Sequence, residues 1–266
     1  MGNFTLGRYI PLDSVIHRLD PRAKIMAMLL VLITIFFPAG WIGYAVIFAC
    51  ASIAIILAKL SVSFIWKAMK PMLFMLFFLL VINALVLKTG DVILTAGGWS
   101  LYSDAIFQTL YIAVRLLLMI MITTCLTATT KPLEMTLGIE DLLSPFQKIG
   151  LPSHEIAMLI SIALRFIPDL IDETARIMKA QESRGVDMKE GKLSERIMAI
   201  LSLIVPLFVS AFQRAEDLAN AMEARGYAPG EPRTRYKQLK MTAKDWILIA
   251  FCFVLMGVII WIAWFA

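Results

Sequence analysis

Two short strings hold the residue types best suited to chemistry at a surface: Ala180-Gln181-Glu182-Ser183-Arg184-Gly185 and Ala221-Met222-Glu223-Ala224-Arg225-Gly226. They share the pattern Ala-x-Glu-x-Arg-Gly and lie 41 residues apart. One Arg-Gly pair is an ordinary helix end, where glycine takes the turn and a cation complements the helix dipole. Two matched copies say more, because each closes an amphipathic stretch that begins near a proline, Pro168 or Pro206. They predict two like-shaped helix tips, each presenting one arginine, Arg184 or Arg225, to a similar receiver. A guanidinium is always charged and forks onto a carboxylate or onto carbonyls at the floor of a groove.

Other chemistry is not visible. The chain has no Walker lysine loop and no Gly-x-Ser-x-Gly, and His154-Glu155 lacks the second histidine of a zinc-protease helix. No His, Cys or Asp cluster has metal-ligand spacing, so neither a catalytic nor a metal site is expected, and no cofactor. Cys50, Cys125 and Cys252 all fall in apolar segments and read as packing residues. Nothing resembles a nucleic-acid motif.

The elements that must position the two tips follow from composition. Of 266 residues 60% are hydrophobic, with a mean hydropathy of +0.80, which is the composition of a polytopic membrane protein. Apolar runs are expected to span at Ile25–Phe37 (extended back to Pro21, with Lys24 as a snorkelling basic end), Trp41–Leu60, Pro71–Leu87, Ala105–Thr127 and Trp246–Trp264. A glycine-containing loop, with Gly97 and Gly98, joins the third and fourth. Arg115 sits about three turns into the fourth span. Asn83 and the hydroxyls of Thr123, Thr124, Thr127, Thr129 and Thr130 read as glue between helices. Lys and Arg gather in the N-terminal arm (Arg8, Arg18, Arg22, Lys24) and the second loop (Lys59, Lys67, Lys70), which places the N-terminus in the cytoplasm.

Residues 131–244 hold most of the charge, yet Ile197–Phe212 carries none. The expected arrangement is a pair of long helices at the inner membrane surface, the alternative being an extra pair of spans, with Pro168 kinking or restarting the first. The basic run Arg233, Arg235, Lys237, Lys240 and Lys244 reads as an anchor to anionic membrane lipid. The fold class is thus all-α and polytopic: residues 1–128 form an arm and four spans, 129–240 a helical cytoplasmic coupling domain with two Arg-Gly tips, and 241–266 a closing span.

Certain strings resemble a known family. Tyr9-Ile10-Pro11-Leu12-Asp13-Ser14 with His17-Arg18-Leu19-Asp20-Pro21-Arg22, then Ala163-Leu164-Arg165-Phe166-Ile167-Pro168, and above all the paired Arg-Gly strings are similar to the transmembrane T component of energy-coupling factor (ECF) transporters. The resemblance covers nearly the whole chain; Ser183 departs from the alanine common before the first arginine. It implies a prokaryotic plasma-membrane subunit that is not itself an enzyme. Two ATP-binding-cassette (ABC) ATPase subunits would hydrolyse ATP, and a substrate-binding S component would carry a vitamin or trace metal. It implies that Arg184 and Arg225, with Glu182, Ser183, Gly185, Glu223, Ala224 and Gly226, engage the ATPases. The competing expectation is a stand-alone secondary transporter or channel.

Overall fold

The computed structural model describes residues 9–87, 89–96, 99–145, 153–186, 193–228 and 239–265. Arg8, Gly97, Gly98, Arg233, Arg235 and Lys237 lie outside them. The chain is all-α and polytopic, and its described residues divide into two compact units, one within 152–238 and one formed by the segments on either side of it.

The flanking unit holds α1 (Pro21–Ile35), α2 (Gly40–Leu57), α3 (Val62–Val86), α4 (Ser103–Thr129), α5 (Pro132–Leu143) and α8 (Ala243–Phe265). Helices α1, α8, α2 and α4 pack in a ring, each against the next. Ile35, Tyr44, Ile47, Leu118, Leu255 and Ile259 close the ring into one apolar cluster. Near its other end the ring has an open cavity of about 150 Å³, lined in part by Cys50, Cys125 and Cys252. All three cysteines are free. Helix α3 lies outside the ring against α4, and buries little beyond Met72 and Ala84. Helix α5 packs on α1.

Several boundaries differ from the sequence expectation. Proline inside a helix removes one hydrogen bond but leaves the neighbours intact, and α3, α6 (Ser153–Ser183) and α7 (Leu193–Ala224) all run through Pro71, Pro168 and Pro206 respectively. Hence α3 begins nine residues before Pro71 and carries Lys67 and Lys70 within it. The loop before α4 contains a hairpin: β1 (Val92–Ala96) pairs antiparallel with β2 (Trp99–Tyr102), with a register irregularity between Val92 and Leu94. Among the described residues five helices are long and apolar enough to cross a membrane: α2, α3, α4, α7 and α8. The count matches the expectation but the set does not. At 15 residues α1 is about 22 Å long, short of the ~30 Å hydrocarbon layer. The uncharged run of α7 continues into a helix of 32 residues.

Polar groups pin the ring at both ends. Asp20 caps α1, accepting from Arg22 N at 2.9 Å, with Pro21 next in the chain. Asp245, 1% exposed, accepts from Asp20 N at 2.8 Å, Thr242 N at 2.7 Å and Thr242 Oγ1 at 2.6 Å. Lys24 does not snorkel. It is buried, and its Nζ donates to Thr129 O at 3.1 Å, His17 O at 3.3 Å and Thr130 Oγ1 at 3.4 Å, tying α1 to the end of α4. At the opposite end Arg115 Nε donates to Tyr44 Oη at 2.8 Å, and its guanidinium lies over Phe36 and Tyr111, 5.6 and 5.4 Å from the ring centres. Asn83 joins α3 to α4 by donating to Thr109 Oγ1 at 3.0 Å. The hydroxyls of Thr123, Thr127 and Thr129 instead donate to carbonyls three and four residues back on their own helix. A threonine hydroxyl reaches that acceptor without any partner helix, so these three hydroxyls donate within α4, whereas the Thr130 hydroxyl and the Thr129 carbonyl do join the end of α4 to α1 through Lys24.

Removing the Asp245 carboxylate leaves the Asp20 amide and the Thr242 donors unpaired in a buried setting. Asp245→Ala is expected to destabilise the fold by about 2–4 kcal/mol. A thermal melt in detergent checks this.

Candidate coupling tips

The second unit is the helix pair α6 and α7. Both end in the same way. At the end of α6, Val186 N–H donates to Gln181 O at 3.0 Å and Gly185 N–H to Glu182 O at 3.0 Å. At the end of α7, Tyr227 N–H donates to Met222 O at 3.0 Å and Gly226 N–H to Glu223 O at 2.9 Å. Each is a Schellman cap, in which a left-handed residue satisfies the last carbonyls and turns the chain away. The left-handed residues are Gly185, φ +84°, and Gly226, φ +73°. Arg184 and Arg225 are therefore the last residues before the reversal, in equivalent positions.

All eight tip residues, Glu182, Ser183, Arg184 and Gly185 on α6 and Glu223, Ala224, Arg225 and Gly226 on α7, are exposed. Among the described residues neither arginine makes an ion pair. A cation at a helix C-terminus gains a few tenths of a kcal/mol from the dipole, which leaves most of its hydrogen-bonding capacity unused. Ser183 turns its hydroxyl inward, donating to Lys179 O at 2.9 Å, so the serine adds no reaching donor to its tip.

What sequence reading missed is how the two tips are held. Arg214 Nη2 lies 3.0 Å from Glu173 Oε2 and Arg214 Nη1 lies 3.9 Å from Asp169 Oδ2. Gln181 Nε2 donates to Ser202 O at 3.3 Å. Going along α6 from 173 to 181, the partner on α7 falls from 214 to 202. The helices therefore run in opposed directions where they touch. Glu173 and Arg214 are themselves 41 residues apart, the offset of the two strings. Each contact residue stands 11 positions before its arginine, about 16 Å along the helix. The brace thus divides the pair into equal arms. The signal was available: the 41-residue offset applies to this pair as well as to the tips.

The pair is also apolar on its outside. On α7, Ile197, Met198, Ile200, Leu201, Ile204, Val205, Phe208, Val209 and Phe212 are all exposed, Phe208 by 61% and Phe212 by 66%. So contiguous an apolar surface marks contact with lipid or with another protein.

These features define a multi-pass membrane protein carrying a helical unit with two equivalent cationic ends. The profile of the CbiQ family, described as cobalt transport protein, matches residues 13–236. The energy-coupling factor transporter transmembrane protein EcfT of Macrococcus caseolyticus is 47% identical over 241 residues, 91% of this chain and 89% of the relative. EcfT of Bacillus subtilis is 43% identical over 255 residues, 96% of each chain, and that of Listeria innocua 42% identical over 262 residues, 98% of this chain and 99% of the relative. The chain belongs to this family of energy-coupling factor transporter transmembrane proteins.

The cap geometry is testable. No atom stands within 4 Å of a Cβ added at Gly185 or Gly226, so only backbone strain opposes substitution. Gly185→Asn or Gly226→Asn is expected to hold the tip, whereas valine costs about 1–2 kcal/mol and frays the last turn, as hydrogen exchange of its amides reports. The brace makes a second prediction. A double-mutant cycle on Glu173 and Arg214 is expected to give a coupling of about 0.5–1 kcal/mol in the stability of the helix pair, the scale of a partly exposed ion pair.

Proposed function

We propose that this chain is the lever of an ECF-type ABC importer. Two ABC ATPase subunits bind the two tips. A substrate-binding S component lies against the apolar outside of α6 and α7, and the chain transmits the work of ATP hydrolysis from one to the other. The N-terminal arm lies in the cytoplasm, as its arginines, Lys59 after α2 and Lys67 and Lys70 in the first turns of α3 favour, and α6 and α7 lie at the inner membrane surface.

In this reading Arg184 and Arg225 each enter a groove on one ATPase. Glu182, Ser183, Glu223 and Ala224 shape the entry, and Gly185 and Gly226 keep each tip narrow. The observation that carries the proposal is the equivalence of the tips: identical caps, both exposed, at equal distances from one brace. Two copies of one receiver would require that equivalence. ATP hydrolysis belongs to the partners. As the ATPase pair closes or opens, the tips are displaced, and stiff helices carry the motion to their apolar surfaces, which grip or release the S component. The cargo is a vitamin or a trace metal; the family description, which names cobalt transport, keeps the metal in view.

The competing reading, a stand-alone secondary transporter or channel, predicts uptake by this chain without any ATPase. Co-expression with the ATPases and an S component separates the two. Arg184→Ala and Arg225→Ala are each expected to weaken ATPase association by about 2–4 kcal/mol, the scale of an interface hot spot, or to uncouple hydrolysis from uptake. Arginine to lysine is expected to rescue poorly, since the fork is lost. Normal assembly and uptake by the double alanine variant would overturn the assignment.

A further inference from the structure

A second cluster of cations lies in the flanking unit, far along the sequence from the tips. The N-terminal arm, the end of α2 and the start of α8 enclose an open cavity of about 810 Å³, whose lining includes Asp13, Arg18, Lys59, Lys244, Ile56 and Leu57. Three elements thus each contribute a cation. Arg18 is held by Asp13 through two hydrogen bonds, Nε to Oδ1 at 2.9 Å and Nη2 to Oδ2 at 2.7 Å. That pair cancels, leaving Lys59 and Lys244 as two net positive charges. Among the described residues neither lysine makes an ion pair. Asp245, the nearest acid on α8, is buried and engaged by Asp20 and Thr242. The N-terminus of α8 adds partial positive charge at the same edge.

Two further observations give the cluster a direction. Ile56 and Leu57, in the last turn of the membrane-length helix α2, are 73% and 50% exposed immediately before Lys59. An apolar wall therefore runs from the cations toward the membrane interior. Lys59 itself has φ +58° and is the sole described residue other than glycine with positive φ. A glycine would take that conformation without strain, whereas a lysine takes it at a backbone cost.

We propose that this cavity binds the phosphate of an anionic phospholipid, with Lys59 and Lys244 on the headgroup and an acyl chain along Ile56 and Leu57. Charge selects the headgroup and the apolar wall selects a lipid over a free anion. The site occupies the edge between arm, α2 and α8, so a bound lipid joins three elements that are distant in sequence.

The test titrates phosphatidylglycerol, and phosphatidylcholine with the same acyl chains, into delipidated full-length protein in neutral detergent, with native mass spectrometry counting bound lipid. Wild type is expected to retain phosphatidylglycerol preferentially. Lys59→Gly and Lys244→Gln are each expected to weaken that retention about fivefold, the scale of one lysine near an anionic headgroup. Lys59→Gly separates ligand binding from folding, because relief of the positive φ leaves the melting temperature unchanged or raised while retention falls. Equal retention of the two lipids, undiminished retention in the double variant, or displacement of phosphatidylglycerol by millimolar inorganic phosphate would each overturn the proposal.

Discussion

The carboxylate of Asp245 joins the two ends of the chain. It accepts from the amide of Asp20, 225 residues away, and from two donors on Thr242, so the start of α1 and the start of α8 are fixed to one point. Without that bond α8 would lose its polar tie to the start of α1. Between lipid-facing helices apolar contacts supply little register, because lipid is as apolar as leucine. Polar bonds must supply it, and they do so in layers: Asp20, Lys24 and Asp245 at one end of the ring, Tyr44 and Arg115 at the other. Every buried side-chain nitrogen and oxygen among the described residues has a partner, as a low-dielectric setting demands.

The helix pair obeys a different logic. Its tips are built from backbone bonds alone, two per cap, and depend on glycine rather than on packing. Its brace is a single partly exposed ion-pair cluster. A further link between the two helices is the Gln181–Ser202 hydrogen bond. The flanking unit instead closes a ring of helices and satisfies its buried polar groups in layers.

Much of this was legible in the sequence because it rests on local rules. Asp20-Pro21 read as a helix start, and the Arg-Gly strings as helix ends, since capping involves only neighbours within one turn. Failures came where the deciding contact was distant or where a side chain had two local choices. Lys24 looked like a snorkelling end because nothing in its neighbourhood announces Thr129 as an acceptor. Arg115 looked expensive because Tyr44, Tyr111 and Phe36 are brought to it only by packing. The threonines of α4 looked like glue because the sequence does not say whether a hydroxyl turns outward or back onto its own helix. The hairpin at 92–102 did carry a local sign, two glycines between short β-prone runs, which the surrounding apolar spans masked.

Length alone misleads for α1. At 15 residues it falls short of a membrane span, yet it runs beside α8 along the same course. Asp20 meets Asp245 at one end, and Ile35 shares a cluster with Ile259 at the other. From 245 to 259 is 14 residues, about 21 Å, and α1 covers the same rise. The connection Phe36–Ala39 and the snug start of α2 extend it further. A helix that is one member of a ring is held over its length by its two longer neighbours, α8 and α4. Helix α7 presents the converse. It has the length and the apolar run of a span, but its last third carries Arg214, Glu216, Asp217 and Glu223, and its apolar outside is continuous with a charged, exposed tip. Length and mean apolarity therefore describe only the first half of α7, and its charged second half is what separates it from an ordinary span.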